Sequence, residues 1–292
     1  MSRPKVLTLW LDTWYGTGKG ESSDNMIFGH GLFDQLGFEE THIPLEEPIA
    51  FPGFGKYDLV FTVPYQKVID LRAWGPVVAW MCDDVWRYES FGKPWAEVAD
   101  LIVTTDPASA ALYGDKGLLS NWAVRPEWEL HARAVPQGLS ASFQGQMYGA
   151  RRDRLAELEQ ALSVTLLAND TGEEYLSPQR YFEGIAASAF TICLTESSHR
   201  TRQMKSRLFE PQLFNSILVT ERVLGLEKYW TPGVECIVFD TAEEAARRVQ
   251  QLAANWPERM AMARRAKARL LEEHTYQNRL SAVLDRLGVS VG

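Results

Sequence analysis

The sequence has few cysteines and no long apolar run. Its three cysteines, Cys82, Cys193 and Cys236, are far apart, so neither the spacing of a zinc site nor that of a disulfide framework is present. No run approaches the roughly 20 consecutive apolar residues of a membrane helix, and the apolar stretch near the N-terminus reaches Asp12 too early for a signal peptide. We therefore expect buried thiols in a reducing compartment, a cytoplasmic location and no membrane partner.

Several common catalytic motifs are also missing. The five histidines do not have the spacing of metal ligands, and the sequence contains no GxSxG nucleophile elbow. Lys19 is not followed by Ser or Thr in the frame of a Walker loop. These absences leave little support for a zinc enzyme, a serine hydrolase or a P-loop nucleotidase.

Charge is unevenly distributed along the chain. Residues 1–138 contain 11 Lys and Arg against 19 Asp and Glu, whereas residues 139–292 contain 19 of each class. Because phosphate backbones are bound mainly through Lys and Arg, the first half is a poor general docking surface for nucleic acid or anionic lipid. A local basic groove is still compatible with this composition.

Short apolar runs alternate with helical patterns along the whole chain, which is long enough at 292 residues for two domains. This order is typical of parallel strands joined by crossover helices, so we predict an α/β fold. The strand-like runs are residues 6–11, 59–63, 77–82, 101–105, 164–168, 189–195, 216–220 and 236–239.

A segment rich in Gly, Ser and Gln, residues 136–149, interrupts the pattern and predicts a linker. We therefore predict one Rossmann-like domain over residues 1–137, a second over residues 138–274, and a C-terminal helix over residues 275–292 that packs back on the first domain. Two such domains facing each other across a cleft would hold a ligand at the carboxyl ends of their strands.

The most informative motif is a basic run, HRTRQMKSRLFE, that follows the strand-like run 189–195. Its cations and closing carboxylate are Arg200, Arg202, Lys205, Arg207 and Glu210. Between a strand and a helical pattern, these cations would lie beside the free N–H groups of a helix start, where phosphate groups bind. A solvated charged face is the simpler explanation of such a run, but its position favours an anion site.

Two loops of the first half are further candidates. In DTWYGTGKGESSDN, Gly16 and Gly18 would let the backbone approach a ligand, although the spacing does not fit GxGxxG and an ordinary glycine turn is the alternative. In WMCDDVWRYESF, Asp83 and Asp84 could bind a divalent metal, accept hydrogen bonds from sugar hydroxyls or cap a helix. The aromatic residues around them resemble a carbohydrate or base platform, although aromatic residues are more often part of a core. They are Trp80, Trp86 and Tyr88.

From Leu176 onward the sequence resembles the second domain of glycosyltransferases of the GT-B architecture, most closely the CgeB-like, or spore-maturation-like, group. The first half is similar more loosely, through the Asp-Asp-x-Trp segment at Asp83. The matching stretches are LSPQRYFEGIAASAFTICLTESSHRTRQMKSRLFEPQLFNSILVTE, LGLEKYWTPGVECIVFDTAEEAARRV and NWPERMAMARRAKARLLEEHTYQNRL.

This resemblance implies an enzyme that transfers a sugar from a nucleotide-diphosphate donor, a UDP-sugar, to a hydroxyl acceptor with retention of configuration. In such enzymes basic side chains hold the diphosphate in place of a metal, so no cofactor or metal is expected. Lys205 and Arg207 match that role, and Glu210 matches the carboxylate that binds the ribose hydroxyls. Arg202 stands where the broader retaining superfamily often has Glu, and it becomes a candidate for contacts to the leaving phosphate or the donor sugar.

The loops of the first domain would then serve mainly the acceptor. Asp83 or Asp84 would orient its hydroxyl group, with Asp12 and Trp86 as further contacts, and the glycine loop would approach the donor phosphates. Small-molecule and protein acceptors are open, as is a hydroxymethylated base in viral DNA, because a flipped base needs only a local pocket. The Arg at position 202 also keeps open a binding or maturation protein that has lost catalysis.

Overall fold

A computed structural model describes residues 3–12, 23–29, 31–45, 56–64, 68–81, 87–132, 135–145, 147, 150–167, 177–196 and 201–289. The chain forms two compact units, unit 1 (Met1–Asn121 with Tyr276–Gly292) and unit 2 (Trp122–Thr275). Each unit has its own parallel sheet, as the alternation of strand and helix patterns predicts.

In the part of the chain that the structure describes, unit 1 is built on six parallel strands. They are β1 (Lys5–Trp10), β2 (Glu39–Pro44), β3 (Leu59–Thr62), β4 (Val77–Met81), β5 (Leu101–Thr104) and β6 (Gly117–Leu119). Their order in the sheet is β2-β1-β3-β4-β5-β6. The helices are α1 (Ser23–Phe28), α2 (Leu32–Gln35), α3 (Lys93–Val98), α4 (Pro107–Leu112) and, from the end of the chain, α10 (Tyr276–Leu287).

Aromatic rings fill much of the core of unit 1. The Phe28 ring lies 5.3 Å from the Trp80 ring and 5.6 Å from the Tyr276 ring, centroid to centroid. Strands β3, β4 and β5 are buried along their whole length, which explains why the sequence shows continuous apolar runs there. Through Tyr276, α10 contributes to the core of unit 1.

Over its described residues, unit 2 is built on five parallel strands. They are β7 (Leu139–Gln144), β8 (Val164–Leu167), β9 (Ser188–Cys193), β10 (Ile217–Glu221) and β11 (Ile237–Phe239), in the order β11-β10-β9-β7-β8. Its helices are α5 (Arg151–Ala161), α6 (Pro178–Ala186), α7 (Glu210–Leu213), α8 (Ala242–Ala254) and α9 (Trp256–Glu273). None of the helices in the described ranges has the length and apolar content that crossing a membrane requires.

The strand order of unit 2 reverses between β7 and β9. The chain starts in the middle of the sheet with β7, adds β8 on one side, and then returns to add β9 on the other. In open α/β sheets, ligands bind outside the carboxyl ends of the strands at such a reversal. In unit 2 these ends are Gln144 and Cys193.

Strand β7 runs through the segment predicted to be a linker, so that prediction was wrong. Ala141 and Phe143 belong to the apolar core, whereas the fully buried Gln144 donates from its side-chain nitrogen to Ser142 Oγ at 2.7 Å. The content of Gly, Ser and Gln obscured the alternation in LSASFQ, which has the period of two residues expected of a strand.

Residues 122–137, which the sequence placed in the first domain, pack within unit 2. The Trp128 ring stacks on the Phe182 ring of α6 at a centroid distance of 5.2 Å. The backbone N–H of Val124 donates to the carbonyl of His274 at 3.1 Å. The segment therefore belongs to unit 2 although it precedes the first strand of that unit.

Candidate functional site

The basic run lies next to the carboxyl ends of β7 and β9. After β9, Glu196 forms an isolated antiparallel bridge with Arg202. A single 3-10 turn, Ser206–Leu208, and the four-residue helix α7 follow. The predicted helix start is thus only one turn long. Because a macrodipole needs several aligned turns, the cationic side chains themselves must supply most of the positive charge.

Aromatic side chains hold the loop that carries the two best-matched cations, Lys205 and Arg207. On one side, the indole N–H of Trp122 donates to the carbonyl of Met204 at 3.2 Å. On the other side, the fully buried Phe209 packs its ring 5.8 Å from the ring of Trp230. The loop is therefore fixed immediately before and after the two cations.

Arg207 lies across the carboxyl end of β7. Its Nη1 donates a hydrogen bond to the carbonyl of Gln144, and its guanidinium carbon is 5.9 Å from the centre of the Phe143 ring. Gly145 has a φ of +140°, and a Cβ added there would overlap with Arg207 Nη1. Arg207 is therefore half-buried against the strand end and depends on a residue without a side chain at position 145.

Lys205 and Arg202 have different surroundings. Lys205 is half-buried, and its Nζ donates to Gln203 Oε1 at 2.6 Å. Arg202 is more exposed; its Nη1 donates to the carbonyl of Arg222 at 3.1 Å, and its Nη2 lies 3.9 Å from Glu221 Oε1. The structure therefore directs Arg202 towards the end of β10.

The thiol at the end of β9 lies among several of these charges. Burial raises the pKa of the Cys193 thiol to about 11, and the positive charges of Arg207, Arg151 and Lys205 act in the opposite direction. Arg151 was not predicted. It is 1% exposed, and its Nε donates to the carbonyl of Glu196 at 3.1 Å. The sequence signal for Arg151 is its position at the start of the helix that follows β7. This signal was missed because the segment that forms β7 was predicted to be a linker.

Glu210 is the carboxylate of this cluster. It is only 2% exposed, and the Tyr181 hydroxyl of α6 donates a hydrogen bond to its Oε2. Burial raises the pKa of Glu210, while the Tyr181 hydrogen bond and the charge of Arg207 lower it. Burial and the charge of Glu210 raise the pKa of Tyr181 well above its ordinary value. The structure thus brings Glu210 and Arg207 together and adds Tyr181, which the sequence did not predict.

In unit 1, Asp12 lies just after β1 and is partly exposed. Its Oδ1 is 2.8 Å from Nε2 of His42 on the neighbouring strand β2, and His42 Nδ1 is 3.0 Å from Thr8 Oγ1. The sequence predicts no role for His42. The pairing follows from the register of β1 with β2, in which Thr8 lies opposite His42, and β2 was not predicted.

The predicted aromatic platform is wrong for Trp80. This side chain is fully buried because it lies on the central strand β4, where it packs on Phe28. Tyr88 is half-buried, and its hydroxyl donates to the carbonyl of Leu112 at 3.0 Å. Trp80 is therefore part of the core of unit 1.

Several predicted residues lie outside the described part of the chain, and their roles stay predictions. They are Gly16, Gly18, Asp83, Asp84, Trp86 and Arg200. Within the described ranges, no group of three or more His, Cys, Asp or Glu side chains is placed to hold a metal ion. Metal independence stays a prediction as well, because the two adjacent aspartates are not among those ranges.

A family model described as glycosyl transferase-like matches residues 131–285, more than half of the 292 residues. The match includes the carboxyl edge of the sheet in unit 2 and the whole basic run. This chain belongs to the glycosyl transferase-like family. The predicted enzyme class, a glycosyltransferase, is thereby confirmed. No curated protein sequence matches the glycosyltransferase significantly.

Solved structures resemble the glycosyltransferase over nearly its whole length. An α,α-trehalose 6-phosphate synthase from Burkholderia multivorans superposes with a TM-score of 0.63 at 11% identity, covering 99% of each chain. AviGT4, a glycosyltransferase of avilamycin A biosynthesis, gives 0.62 at 14% identity, covering 97% of this chain and 96% of its own. Anabaena HepE in complex with UDP-glucose gives 0.60 at 13% identity, covering 98% and 100%. At these identities the likeness shows the fold alone, and it confirms the predicted GT-B class.

Proposed function

We propose that this glycosyltransferase transfers a sugar from a UDP-sugar to a hydroxyl acceptor, with retention of configuration and without a metal ion. The observation that carries the proposal is Arg207, a half-buried cation held across the end of β7 where the strand order of unit 2 reverses. The choice of uridine is supported by HepE, which has been solved with UDP and with UDP-glucose.

The chemistry requires positive charge at the diphosphate. Breaking the bond between the anomeric carbon and the diphosphate leaves negative charge on the phosphate oxygens, and preorganised cations stabilise the transition state where that charge develops. Lys205 and Arg207 supply it, at about 1.5–3 kcal/mol for each charged hydrogen bond. The acceptor oxygen then bonds to the anomeric carbon while the departing phosphate accepts the proton of the acceptor hydroxyl, which is the retaining route implied by the resemblance to the CgeB-like group.

The carboxylate of Glu210 would bind the ribose hydroxyls of the donor. Tyr181 and Arg207 hold this carboxylate in one direction, because the first donates a hydrogen bond to it and the second lies close enough to lower its pKa. Preorganisation of this kind reduces the ordering cost of binding a flexible nucleotide.

Alanine substitutions test the anion site directly. Arg207→Ala and Lys205→Ala should each lower donor hydrolysis and transfer roughly 10- to 100-fold, since each removes a charged hydrogen bond. Arg247→Ala, which removes an exposed cation of α8, is the matched control and should keep full activity. The assay uses a panel of UDP-sugars in the presence of EDTA, and full activity of both site variants would contradict the proposal.

Nucleotide binding and the choice of acceptor separate the alternatives. UDP should raise the melting temperature of the wild-type enzyme, because a ligand that binds only the folded state stabilises it. No shift with any nucleoside diphosphate would favour a catalytically inert binding protein. Small sugars and DNA containing hydroxymethylcytosine serve as acceptors, and labelled sugar incorporated into only one class identifies the acceptor.

A further inference from the structure

A buried carboxylate lies at the end of β10, close to the basic loop. Glu221 is 3% exposed, and its Oε2 accepts a hydrogen bond from the backbone N–H of Thr195 at 3.1 Å. Its Oε1 is 3.4 Å from Nε of Arg154 on α5 and 3.9 Å from Nη2 of Arg202. The Glu221 side chain thus contacts the segment just after β9, the helix α5, and Arg202 in the basic run.

A negative charge is costly at this position. A buried carboxylate loses several kcal/mol of solvation unless its partners compensate for that loss. It also repels any anion bound nearby, and the proposed diphosphate site begins three residues after Arg202 at Lys205. A neutral Gln would accept the same backbone hydrogen bond from Thr195 without repelling an anion. The two guanidinium groups therefore explain why a charged Glu stands at this position instead of a neutral Gln.

We propose that Glu221 is a positioning residue of the donor site, an inference that rests on the proposed function. Its carboxylate fixes the start of the loop at Thr195 and, together with the carbonyl of Arg222, the direction of Arg202. It also offsets the repulsion between Arg202 and Arg154 while the site is empty. When a diphosphate binds beside Arg202, its charge competes with Glu221 for that guanidinium. Glu221 thereby weakens nucleotide binding, and by orienting Arg202 towards the leaving phosphate it accelerates transfer.

Two variants separate the effect of the charge of Glu221 from the effect of its side-chain length. Glu221→Gln keeps the length and the acceptor for Thr195 but removes the charge. Because an opposing charge is gone, the Kd for UDP should fall about 3- to 10-fold. The kcat for transfer should also fall at least about 10-fold, because Arg202 then keeps only its hydrogen bond to the carbonyl of Arg222 and its guanidinium can turn about that bond.

Glu221→Asp keeps the charge and shortens the side chain. The Kd for UDP should stay within about twofold of the wild-type value, while kcat should fall as in Glu221→Gln, because the carboxylate no longer reaches Arg202. This variant also tests the inference if Glu221→Gln does not fold. The control is Glu227→Gln, an exposed carboxylate 3.9 Å from Arg222, for which both Kd and kcat should be unchanged.

The experiment combines calorimetric titration with UDP, steady-state kinetics with a UDP-sugar that the wild-type enzyme uses, and thermal melting. A double variant, Arg202→Gln with Glu221→Gln, should have the kcat of Arg202→Gln alone, since both changes remove the same contact. Opposite changes in affinity and turnover in Glu221→Gln support the inference.

Two other results overturn it. If the Glu221 variants melt at lower temperature but show wild-type Kd and kcat once corrected for the folded fraction, Glu221 is only structural. If Kd rises together with the loss of kcat, the carboxylate does not compete with the nucleotide. Both results require a wild-type enzyme that binds UDP. Absence of nucleotide binding in the wild type contradicts the proposed function itself and removes this inference with it.

Discussion

The position of Arg207 depends on the residue that follows β7. Gly145 has a left-handed φ of +140°, and the guanidinium of Arg207 occupies the space where a Cβ would lie. The same guanidinium lowers the pKa of Glu210 and that of Cys193 against the effect of burial. A substitution at Gly145 therefore displaces the Arg207 guanidinium but keeps its charge. Such a variant tests whether the position of that charge matters.

Gly145→Ala should weaken UDP binding about tenfold or more, because the new methyl group displaces the guanidinium and so removes a charged hydrogen bond to the diphosphate, about 1.5–3 kcal/mol. Gly138→Ala, just before β7, is the matched control, since no atom lies within 4 Å of its added Cβ. Calorimetric titration of both variants measures the difference. Equal UDP affinities for the two variants would show that Arg207 does not need its observed position.

At the level of elements, strands with continuous apolar runs could be predicted from the sequence, including the edge strands β8 and β11, whereas strands with many polar residues could not. Strand β2 was missed because EETHIP has little apolar content and lies half-exposed at the edge of its sheet. The place of the basic run beside a strand end could be predicted, because the apolar run of β9 comes shortly before it in the sequence. Tyr181 could not, because its contact with Glu210 arises only when α6 packs beside α7.

Helix α6 carries Tyr181, and its N-cap is a testable part of the site. Ser177 Oγ accepts a hydrogen bond from the backbone N–H of Arg180 at 3.3 Å. Ser177→Ala should lower the free energy of unfolding by about 1 kcal/mol, whereas Ser177→Asp should retain it because Asp is an equally good cap. Urea unfolding measures both variants, and equal stability of the Ala and Asp variants would rule out this cap as a contributor.

At the scale of the whole molecule, the fold class could be predicted but the limits of the two units could not. The alternation of strands and helices is a local property, so it can be seen in one sequence. The inclusion of residues 122–137 in unit 2 depends on contacts with residues far along the chain, such as Phe182 and His274. Composition over a short window carries no information about such contacts.

Stability should depend on pH through Glu210. Its folded-state pKa lies above the ordinary value of 4.5, with burial as the main cause. The folded protein therefore keeps this proton at pH values where the unfolded chain has lost it. The corresponding stability is fully present below about pH 4.5 and is lost as the pH rises through the folded-state pKa.

The variant Glu210→Gln lacks this titration and is the comparison. Relative to it, the wild-type enzyme should lose free energy of unfolding as the pH rises from about 4.5 towards neutrality. Urea unfolding of both proteins without nucleotide, at a series of pH values, gives the difference. A difference that is constant with pH, or that favours the wild type as the pH rises, would mean that burial does not raise the pKa of Glu210.

The most direct measurement for the donor site is a crystal structure of the enzyme with UDP. The diphosphate oxygens should lie about 2.7–3.2 Å from Lys205 Nζ and from the guanidinium nitrogens of Arg207. The ribose hydroxyls should lie at the same distance from the carboxylate of Glu210. A well-ordered UDP bound elsewhere, with Lys205 and Arg207 making no contact to it, would contradict the account.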